Sequence, residues 1–524
     1  MARLLHELIL DQADRCPAAT AIVHRQTGLD YAALAGQIQA TARGLLALGL
    51  NRGERVAIYL PKQVETVAAL FGATLAGGVF VPVNPLLKPE QVAYLLRDCN
   101  VRILVTSRDR ADSLKPLLAD CSDLHSLVLV DAAAPPTARA HHLQVLGWPA
   151  LLALDDARPP ARVIDLDMAA ILYTSGSTGK PKGVVLSHGN LLAGASSVAE
   201  YLGNRADDRL LAILPFSFDY GLSQLTTAFL VGARAVLMDY LLPRDVVTTV
   251  AREGITGLAA VPPMWVQLAQ LAWPAAAVAS LRYFTNSGGA MPRATLAALR
   301  RSLPNTTPYL MYGLTEAFRS TYLPPAEIDR RPDSIGKAIP NAEILVVRED
   351  GTPCAPGEPG ELVHRGALVA LGYWNDPAKT AERFRPVPGP HPGLPVPELA
   401  VWSGDTVRVD EDGFLYFIGR KDDMIKTSGY RVSPTEIEEV LYSSGQAAEA
   451  AALGIPHPAL GQAIVAVVKP LHDAFNENAL INHCKQHLPN FMTPLQIIAY
   501  STDLPRNPNG KIDRKRLVEE LRDR

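Results

Sequence analysis

The chain has 524 residues, of which 48% are hydrophobic, so it can bury a large core without help from disulfides or metals. Its 50 lysines and arginines nearly balance its 53 aspartates and glutamates, and the formal net charge of −3 argues against a broad nucleic-acid-binding surface. A prior of roughly 150 residues per domain predicts three or four domains, or fewer large ones.

The first segment of the chain, MARLLHELILDQADR, is amphipathic and not uniformly apolar. Glu7, Asp11 and Asp14 recur among its leucines, so it lacks the uninterrupted apolar stretch of a signal peptide. A run of about 18 apolar residues is absent from the sequence, because even AFLVGARAVLMDYLL contains Arg234 and Asp239. We therefore expect a cytoplasmic protein with no membrane span.

Helix and strand patterns alternate along the first third of the chain. Apolar residues at helical spacing predict helices over 31–48 and 63–76, and short apolar runs predict strands over 56–60, 79–83 and 101–106. Strands separated by helices of this length are typical of parallel βαβ units. The sequence therefore predicts the α/β class.

The same alternation continues after one interruption. The stretch 133–161 is rich in proline and alanine, and this composition predicts a surface connection. Strand patterns then return over 169–174, 210–215, 233–238 and 281–287. We expect a large N-terminal body of mixed or parallel sheets covered by helices.

The last quarter of the chain changes character. Six prolines within 385–398 predict an extended loop, and alternating apolar residues over 414–432 predict a hairpin. From residue 434 onward, a helix, two strands, a helix and a strand predict a small α+β unit. This change places a domain boundary near residue 421.

The most informative segment is YTSGSTGKPKGV, which runs from Tyr173 to Val184. It follows a predicted strand, and a helix is expected to start near Ser187. Small residues allow backbone N–H groups to approach phosphate oxygens, hydroxyls donate further hydrogen bonds, and lysines neutralise charge. The segment is not a Walker A loop, since Thr174 and Pro181 occupy positions where that motif needs Gly and Ser or Thr. An ordinary polar surface turn is the alternative.

These residues resemble the signature loop of the adenylate-forming ligase superfamily, which includes acyl-CoA synthetases, luciferases and peptide-synthetase adenylation domains. Further segments match in the expected order: YGLTE (312–316), SGD (403–405), GRKDDMIKTSGYRVSPTEIE (419–438) and PNGKIDR (508–514). Within the superfamily, PFSFDYGLSQL and YGLTEAFRSTYLPP most resemble ligases associated with exosortase systems. The resemblance implies an N-terminal ATP- and carboxylate-binding domain over 1–421 and a mobile lid domain over 422–524.

The resemblance also implies a set of ATP-binding residues. The phosphates would be bound by Thr174, Ser175, Gly176, Ser177, Thr178, Gly179 and Lys182. The adenosine would be bound by Gly289, Ala290, Tyr312, Asp405 and Arg420. Thr315 would contact the α-phosphate, and Glu316 would bind Mg²⁺. Taken alone, Asp405 could equally stabilise a turn.

The lid domain is implied to carry the catalytic lysine. Lys511 lies in a Pro/Asn/Gly-rich segment, where an isolated lysine would usually be a solvated charge. By resemblance it bridges the substrate carboxylate and the α-phosphate during adenylation. Asp422 occupies the hinge position, and Gly429 matches the glycine that lets a pantetheine arm pass close to the backbone.

The segment FSFDYG (216–221) bears on the identity of the acid. By resemblance, Phe218 gates the acyl pocket, and Asp219 aligns with the aspartate that binds an α-ammonium group in peptide-synthetase adenylation domains. A structural aspartate that caps the following turn is the alternative for Asp219. Arg319 is implied to project near the pocket, where it could pair with Asp219, bind a second anionic group, or point elsewhere.

The sequence thus predicts an ATP-dependent, AMP-forming ligase that activates a small amino acid or other polar acid. The activated acyl group is expected to pass to the pantetheine thiol of CoA or of a carrier protein acting in trans. The alternative substrates are fatty or aryl acids, with CoA as the strict acceptor. Two other classes, a kinase or NTPase and a degenerate binding protein, fit the motifs less well.

Overall fold

A computed structural model of the chain describes residues 2–132, 138–140, 143–156, 159–174, 181–389, 393, 395–420, 423–427, 430–457, 460–472, 475–488, 490–507 and 510–522. Its helices are α1 (Glu7–Arg15), α2 (Tyr31–Ala47), α3 (Val64–Leu75), α4 (Pro89–Asp98), α5 (Arg108–Leu114), α6 (Trp148–Ala153), α7 (His188–Leu202), α8 (Asp219–Val231), α9 (Pro243–Glu253), α10 (Pro262–Leu268), α11 (Ala275–Ser280), α12 (Arg293–Ser302), α13 (Pro377–Arg383), α14 (Pro434–Ser443), α15 (Glu477–His487) and α16 (Arg514–Arg522).

The strands are β1 (Thr20–His24), β2 (Thr27–Asp30), β3 (Arg55–Tyr59), β4 (Val79–Pro82), β5 (Val101–Thr106), β6 (Ser126–Leu129), β7 (Ala138–Ala140), β8 (Leu143–Gly147), β9 (Met168–Thr174), β10 (Lys182–Ser187), β11 (Arg209–Ala212), β12 (Arg234–Leu237), β13 (Gly257–Ala260), β14 (Tyr283–Asn286), β15 (Thr307–Tyr312), β16 (Thr321–Leu323), β17 (Ser334–Ala338), β18 (Ala342–Val347), β19 (Gly360–Gly366), β20 (Gly372–Tyr373), β21 (Phe384–Pro386), β22 (Leu399–Val409), β23 (Leu415–Arg420), β24 (Ile425–Thr427), β25 (Tyr430–Val432), β26 (Ala447–His457), β27 (Gly461–Pro470) and β28 (Gln496–Ala499).

One sheet of the N-terminal body has the order β20-β10-β9-β4-β3-β5-β6-β8-β7. Its centre is parallel, with Val56 of β3 opposite Phe80 of β4 and Ile103 of β5. Helices α3 and α4 make the crossovers, because parallel neighbours need a long connection. The strands and helices predicted over 31–106 are therefore confirmed to within a few residues at each end.

A second, larger sheet has the order β18-β19-β22-β23-β17-β16-β15-β14-β13-β11-β12-β1-β2. The stretch from β1 through β12, β11, β13 and β14 to β15 is parallel, and the strands from β16 to β18 are antiparallel. The carboxyl ends of parallel strands form one edge, which is where ligands bind in open α/β sheets. Asn286 and Tyr312, the last residues of β14 and β15, lie at this edge.

The predicted surface connection over 133–161 is wrong for its second half. Leu143–Gly147 forms β8, which pairs in parallel with β6, and α6 follows directly. Trp148 and Leu151 are buried, and a Cβ on Gly44 of α2 would overlap the Leu151 side chain. Proline is tolerated in the first turn of a helix, so Pro149 did not exclude α6. Residues 133–137, 141, 142, 157 and 158 lie outside the described residues.

Two further predictions need correction around residues 385–432. The proline-rich stretch is not a plain loop, since β21 pairs with β22 through Arg385 and Ala400. The predicted hairpin over 414–432 is divided between two sheets. β23 pairs with β22 and β17 of the large sheet, whereas β24 and β25 form a hairpin in the C-terminal sheet. The alternating pattern identified the strands but not their partners.

The C-terminal unit has its own sheet, β25-β24-β27-β26, with β28 added alongside β27. Helices α14 and α15 cover it, and Ile437, Leu480 and Cys484 are buried in its separate hydrophobic core. The fold prediction, a large α/β body and a small α+β unit, is confirmed. In the described part of the chain, none of the helices has the length and apolar character needed to cross a membrane.

Candidate active site

The predicted phosphate-binding loop connects two antiparallel strands, β9 and β10, with Thr174 opposite Lys182. Ser175, Gly176, Ser177, Thr178 and Gly179 lie outside the described residues. The predicted strand–loop–helix order is wrong, because β10 intervenes before α7. That helix begins as expected, with Ser187 Oγ accepting the Asn190 N–H at 3.0 Å.

Tyr312, Asp405 and Arg420 form one hydrogen-bonded group. Arg420 Nε donates to Asp405 Oδ1 at 2.9 Å, and the Tyr312 hydroxyl also donates to the Asp405 carboxylate. The pairing of β22 with β23 sets Asp405 opposite Arg420. The Asp405 charge raises the pKa of Arg420, and burial raises the pKa of Tyr312. The carboxylate is 6% exposed, so it is available to a ligand only from the side that these partners leave open.

Thr315 and Glu316 lie in a short 3₁₀ turn after β15. The Tyr373 hydroxyl donates to Glu316 Oε1 at 2.6 Å, and Lys182 Nζ lies 5.5 Å from the centroid of the Tyr373 ring. Tyr373 therefore connects the predicted metal-binding carboxylate to the lysine beside the phosphate loop. Phe318, just after the turn, has φ of +55°, an unusual value for a residue with a side chain.

Gly289 and Ala290 follow β14 and are exposed. Asn286 Nδ2 donates to the Gly289 carbonyl at 2.9 Å, which holds the segment against the end of the strand. A Cβ on Gly289 would lie 3.1 Å from Pro262 Cγ, so a larger residue would crowd α10. Both residues are thus accessible at the carboxyl edge of the large sheet.

Lys511 reaches this edge from the C-terminal unit. Its Cε lies 3.8 Å from the position that a Cβ on Gly288 would occupy, so the ammonium end approaches the N-terminal body although the residue as a whole is exposed. Burial of this end, followed by the charge of Arg420, lowers the pKa of Lys511. Three carboxylates act in the opposite direction, those of Asp219, Asp405 and Glu316. The lysine therefore lies in an open cleft among the residues predicted to bind ATP and the acid.

Phe218 and Asp219 begin α8 beside Lys511. The Phe218 ring approaches Gly288, and Thr315 Oγ1 donates to Asp219 Oδ1 at 3.3 Å. Burial raises the pKa of the Asp219 carboxyl, although the charges of Arg319 and Lys511 lower it. Both residues therefore lie close to Lys511 and Gly288, where the sequence predicts the acyl pocket.

Arg319 is 2% exposed and lies close to this pocket. Its Nη1 donates to Ser287 Oγ at 3.2 Å, and its guanidinium lies 4.7 Å from the centroid of the Tyr220 ring. Among the described residues, Arg319 forms no ion pair within 4.0 Å, so the expected alternative of a direct Asp219–Arg319 pair is not present. The charges of Asp219 and Arg319 are therefore not neutralised by a direct contact between the two side chains.

Family models match both parts of the chain. Residues 9–374 match the AMP-binding enzyme family, and residues 436–511 match the AMP-binding enzyme C-terminal domain. The chain belongs to the AMP-binding enzyme family. The superfamily predicted from the sequence motifs is therefore confirmed.

Several relatives of this AMP-binding enzyme are ligases. An L-proline–[L-prolyl-carrier protein] ligase of Pseudomonas fluorescens is 30% identical over 99% of each chain. A long-chain-fatty-acid–CoA ligase of Salmonella typhimurium is 30% identical over 91% of this chain and 87% of its own. The structure of the anthranilate CoA ligase AuaEII with anthranoyl-AMP aligns with a TM-score of 0.88 at 25% identity, over 99% of this chain and 97% of that one. The predicted ATP-dependent, AMP-forming ligase activity is confirmed.

Sequence reasoning missed several side chains of the site in this AMP-binding enzyme. Tyr373 binds Glu316 from 57 positions away in the chain, and Ser287 binds Arg319 from 32 positions away. Ser403 Oγ accepts the Asp405 N–H at 3.0 Å, and the SGD motif did contain this serine. A motif search could have found Ser403, whereas Tyr373 carries no local signal. Asp422 and Gly429, the predicted hinge and channel residues, lie outside the described residues.

Proposed function

We propose that this AMP-binding enzyme activates a short polar acid with ATP and transfers the acyl group to the pantetheine thiol of CoA or of a carrier protein. The observation that carries the proposal is the position of Lys511, which lies beside Gly288 and within electrostatic range of the carboxylates of Asp219, Asp405 and Glu316. A cation shared by the predicted nucleotide and acid sites is what the first half-reaction requires.

ATP would bind along the carboxyl edge of the large sheet. Asp405 would accept hydrogen bonds from the ribose hydroxyls, a usual task for a carboxylate facing a nucleoside, with Arg420 beside it. The adenine would lie against Tyr312 and the backbone of Gly289 and Ala290. The loop between Thr174 and Lys182 would surround the β- and γ-phosphates, as its composition suggests.

Magnesium fits this site through Glu316. Mg²⁺ is usually held by one or two carboxylates together with substrate phosphates and water, and not by an all-protein cage. A cluster of three or more acidic, histidine or cysteine ligands is absent from the described residues, which agrees with that mode. When bound, Mg²⁺ neutralises charge on the phosphates and so favours departure of pyrophosphate. Tyr373 would keep the Glu316 carboxylate oriented.

The first half-reaction forms a mixed anhydride. A carboxylate oxygen of the acid attacks the α-phosphorus of ATP, and the bond from that phosphorus to the bridging oxygen of pyrophosphate breaks. The Lys511 ammonium and the Thr315 hydroxyl would donate hydrogen bonds to the α-phosphate and the carboxylate as negative charge builds up there. Lys182 would stabilise the pyrophosphate that leaves.

The second half-reaction transfers the acyl group to sulfur. A pantetheine thiolate attacks the acyl carbon, and the bond to the AMP oxygen breaks. We propose that residues 422–524 act as a lid that turns about Asp422 between the two steps, and that Gly429 borders the thiol channel. The separate sheet and core of the C-terminal unit support such a rigid-body movement.

The charged residues of the acyl pocket favour a polar acid. Burying Asp219 and Arg319 is costly unless a ligand compensates them, and a long hydrocarbon chain would not. The prolyl-carrier protein relative supports an amino acid. The fatty-acid–CoA relative supports the second candidate, a fatty or aryl acid transferred strictly to CoA.

ATP–pyrophosphate exchange, screened over amino acids, aliphatic acids and aryl acids, tests the proposal. We expect exchange with polar acids, and exchange confined to fatty or aryl acids would favour the second candidate. A companion assay offers the adenylated enzyme either CoA or a phosphopantetheinylated carrier protein. The thioester that forms identifies the acceptor, and absence of both thioesters would contradict the second half-reaction.

A further inference from the structure

The Arg319 guanidinium is buried with most of its hydrogen-bonding capacity unused. An arginine carries five N–H donors and cannot deprotonate in a protein. Within the described part of the chain, the Arg319 guanidinium makes one hydrogen bond, from Nη1 to Ser287 Oγ, and its Nε has no partner. An uncompensated buried charge is strongly unfavourable, so such an arginine requires an acceptor that is still to be supplied.

The surroundings of Arg319 supply little of this compensation. Its guanidinium stacks over Tyr220, and the nearby Tyr201 hydroxyl is hydrogen-bonded to the sulfur of Met311 at 2.9 Å. The Asp219 carboxylate acts on it only from beyond ion-pair distance. Arg282, a half-buried arginine, stacks in the same way, 4.9 Å from the centroid of the Tyr283 ring, but it also contacts the buried carboxylate of Asp208 at 2.7 Å.

Arg319 also lies close to the reacting end of the site. It binds Ser287, and the next residue, Gly288, lies beside the Lys511 side chain. Ser287 and Gly288 are adjacent residues at the end of β14, so both cations approach the same strand end. A short acid held at one end by Lys511 would meet Arg319 with its other end.

We propose that Arg319 binds a second anionic group, a carboxylate or sulfonate, at the far end of the acid that this enzyme activates. The inference rests on the proposed function and specifies its substrate class. A planar guanidinium binds such a group through two parallel hydrogen bonds, which supplies the missing acceptors. Asp219, which lies within electrostatic range of both cations, would add selectivity for an ammonium group if the acid also carries one.

Matched acids test the proposal by ATP–pyrophosphate exchange. The pairs are propanoate with malonate, butanoate with succinate, and 2-aminobutanoate with aspartate, so that each pair differs in the terminal anion. We expect at least one diacid to exceed its partner in kcat/KM by at least about 100-fold, because a site built to bind a polar group rejects analogues that lack it. If Asp219 binds an ammonium group, 2-aminobutanoate and aspartate should have higher kcat/KM values than butanoate and succinate.

Two variants separate recognition from a structural role. Arg319→Met should lower the ratio of kcat/KM for the diacid to kcat/KM for the matched monoacid by at least about 100-fold, while Arg319→Lys should retain part of the preference. The apo melting temperature of Arg319→Met should stay within about 2 °C of the parent. The matched control, Arg282→Met, should lower it by at least about 4 °C, because Asp208 is left buried and unpaired.

Several outcomes would overturn the inference. Monoacids or neutral amino acids that react as well as the diacids would contradict it while leaving the ligase activity intact. Arg319 would be structural if Arg319→Met lowered the melting temperature as much as Arg282→Met does. The same conclusion would follow if Arg319→Met lowered kcat/KM equally for every acid. Failure of every acid to support exchange would contradict the proposed function as well.

Discussion

Removal of the Lys511 ammonium should separate the two half-reactions. Lys511 is exposed in the cleft, so Lys511→Ala leaves no buried cavity and should not disturb the fold. It leaves three carboxylates facing the incoming acid and ATP, those of Asp219, Asp405 and Glu316. Loss of one preorganised donor to a developing oxyanion costs about 10²–10³ in rate, or about 3–4 kcal/mol, and here the unmasked negative charge places the effect at the upper end.

The assay measures each half-reaction alone. ATP–pyrophosphate exchange reports adenylation, and thioester formation from a supplied acyl-adenylate reports transfer. We expect Lys511→Ala to lower exchange by about 10³ and to change transfer less than about threefold. Lys515→Ala is the matched control, since Lys515 is an exposed lysine in α16, shortly after Lys511 in the chain.

Three results would contradict this role of Lys511. An equal loss in both half-reactions would mean that Lys511 supports the whole site and not the adenylation step. A normal exchange rate in Lys511→Ala would mean that the C-terminal unit does not deliver the catalytic cation. A matching loss in Lys515→Ala would point to a general effect of surface charge.

Other substitutions test the remaining parts of the site and the core. Asp405→Asn should raise KM for ATP by at least about tenfold, because a charged acceptor for the ribose is lost; unchanged KM would contradict the ribose assignment. Tyr373→Phe should raise the Mg²⁺ concentration for half-maximal exchange by about tenfold with little change at saturating Mg²⁺, since the Glu316 carboxylate loses its orienting hydrogen bond. Burial lowers the pKa of His364 to about 3, so the folded state binds its proton only below that pH, whereas the unfolded chain binds it near pH 6.5. The free energy of unfolding should therefore fall as pH drops from about 6.5 towards 3, by up to about 5 kcal/mol from this residue. Urea titrations at several pH values measure the slope, which should be shallower in His364→Gln.

The local pattern of the sequence determined much of the fold. Strand β5 was predicted to the residue, because Val101–Thr106 is an isolated apolar run between polar segments. Strand β8 was missed, because the surrounding prolines and alanines outweighed the short pattern of Leu143–Gly147. Strand β10 was missed for another reason: Ser187 ends the strand and caps α7, so the helix signal concealed the strand before it.

A site residue was predictable from the sequence where the functional side chain lies within a family motif. Asp405 and Lys511 were found because family motifs include them, and Tyr373 was not, because it reaches Glu316 only through the antiparallel pairing of β10 with β20. The state of Arg319 is likewise a property of the folded chain. The sequence left its pairing with Asp219 open, and only the folded chain, which brings Arg319 to the end of β14, decides that its hydrogen bond goes to Ser287.

Because β22 pairs with β23, Asp405 and Arg420 belong to the N-terminal body, whereas Lys511 belongs to the C-terminal unit. Asp405 and Arg420 are held to each other across two strands of the body, so a turn of the chain beyond residue 420 leaves the nucleoside contacts in place. In the proposed rotation Lys511 would move with the C-terminal unit, and its departure would remove one positive charge from the site. Without the Lys511 charge, pyrophosphate would be held less strongly, while the adenylate would stay bound to Asp405 and Arg420. The rotation that admits the thiol would therefore also make adenylation hard to reverse.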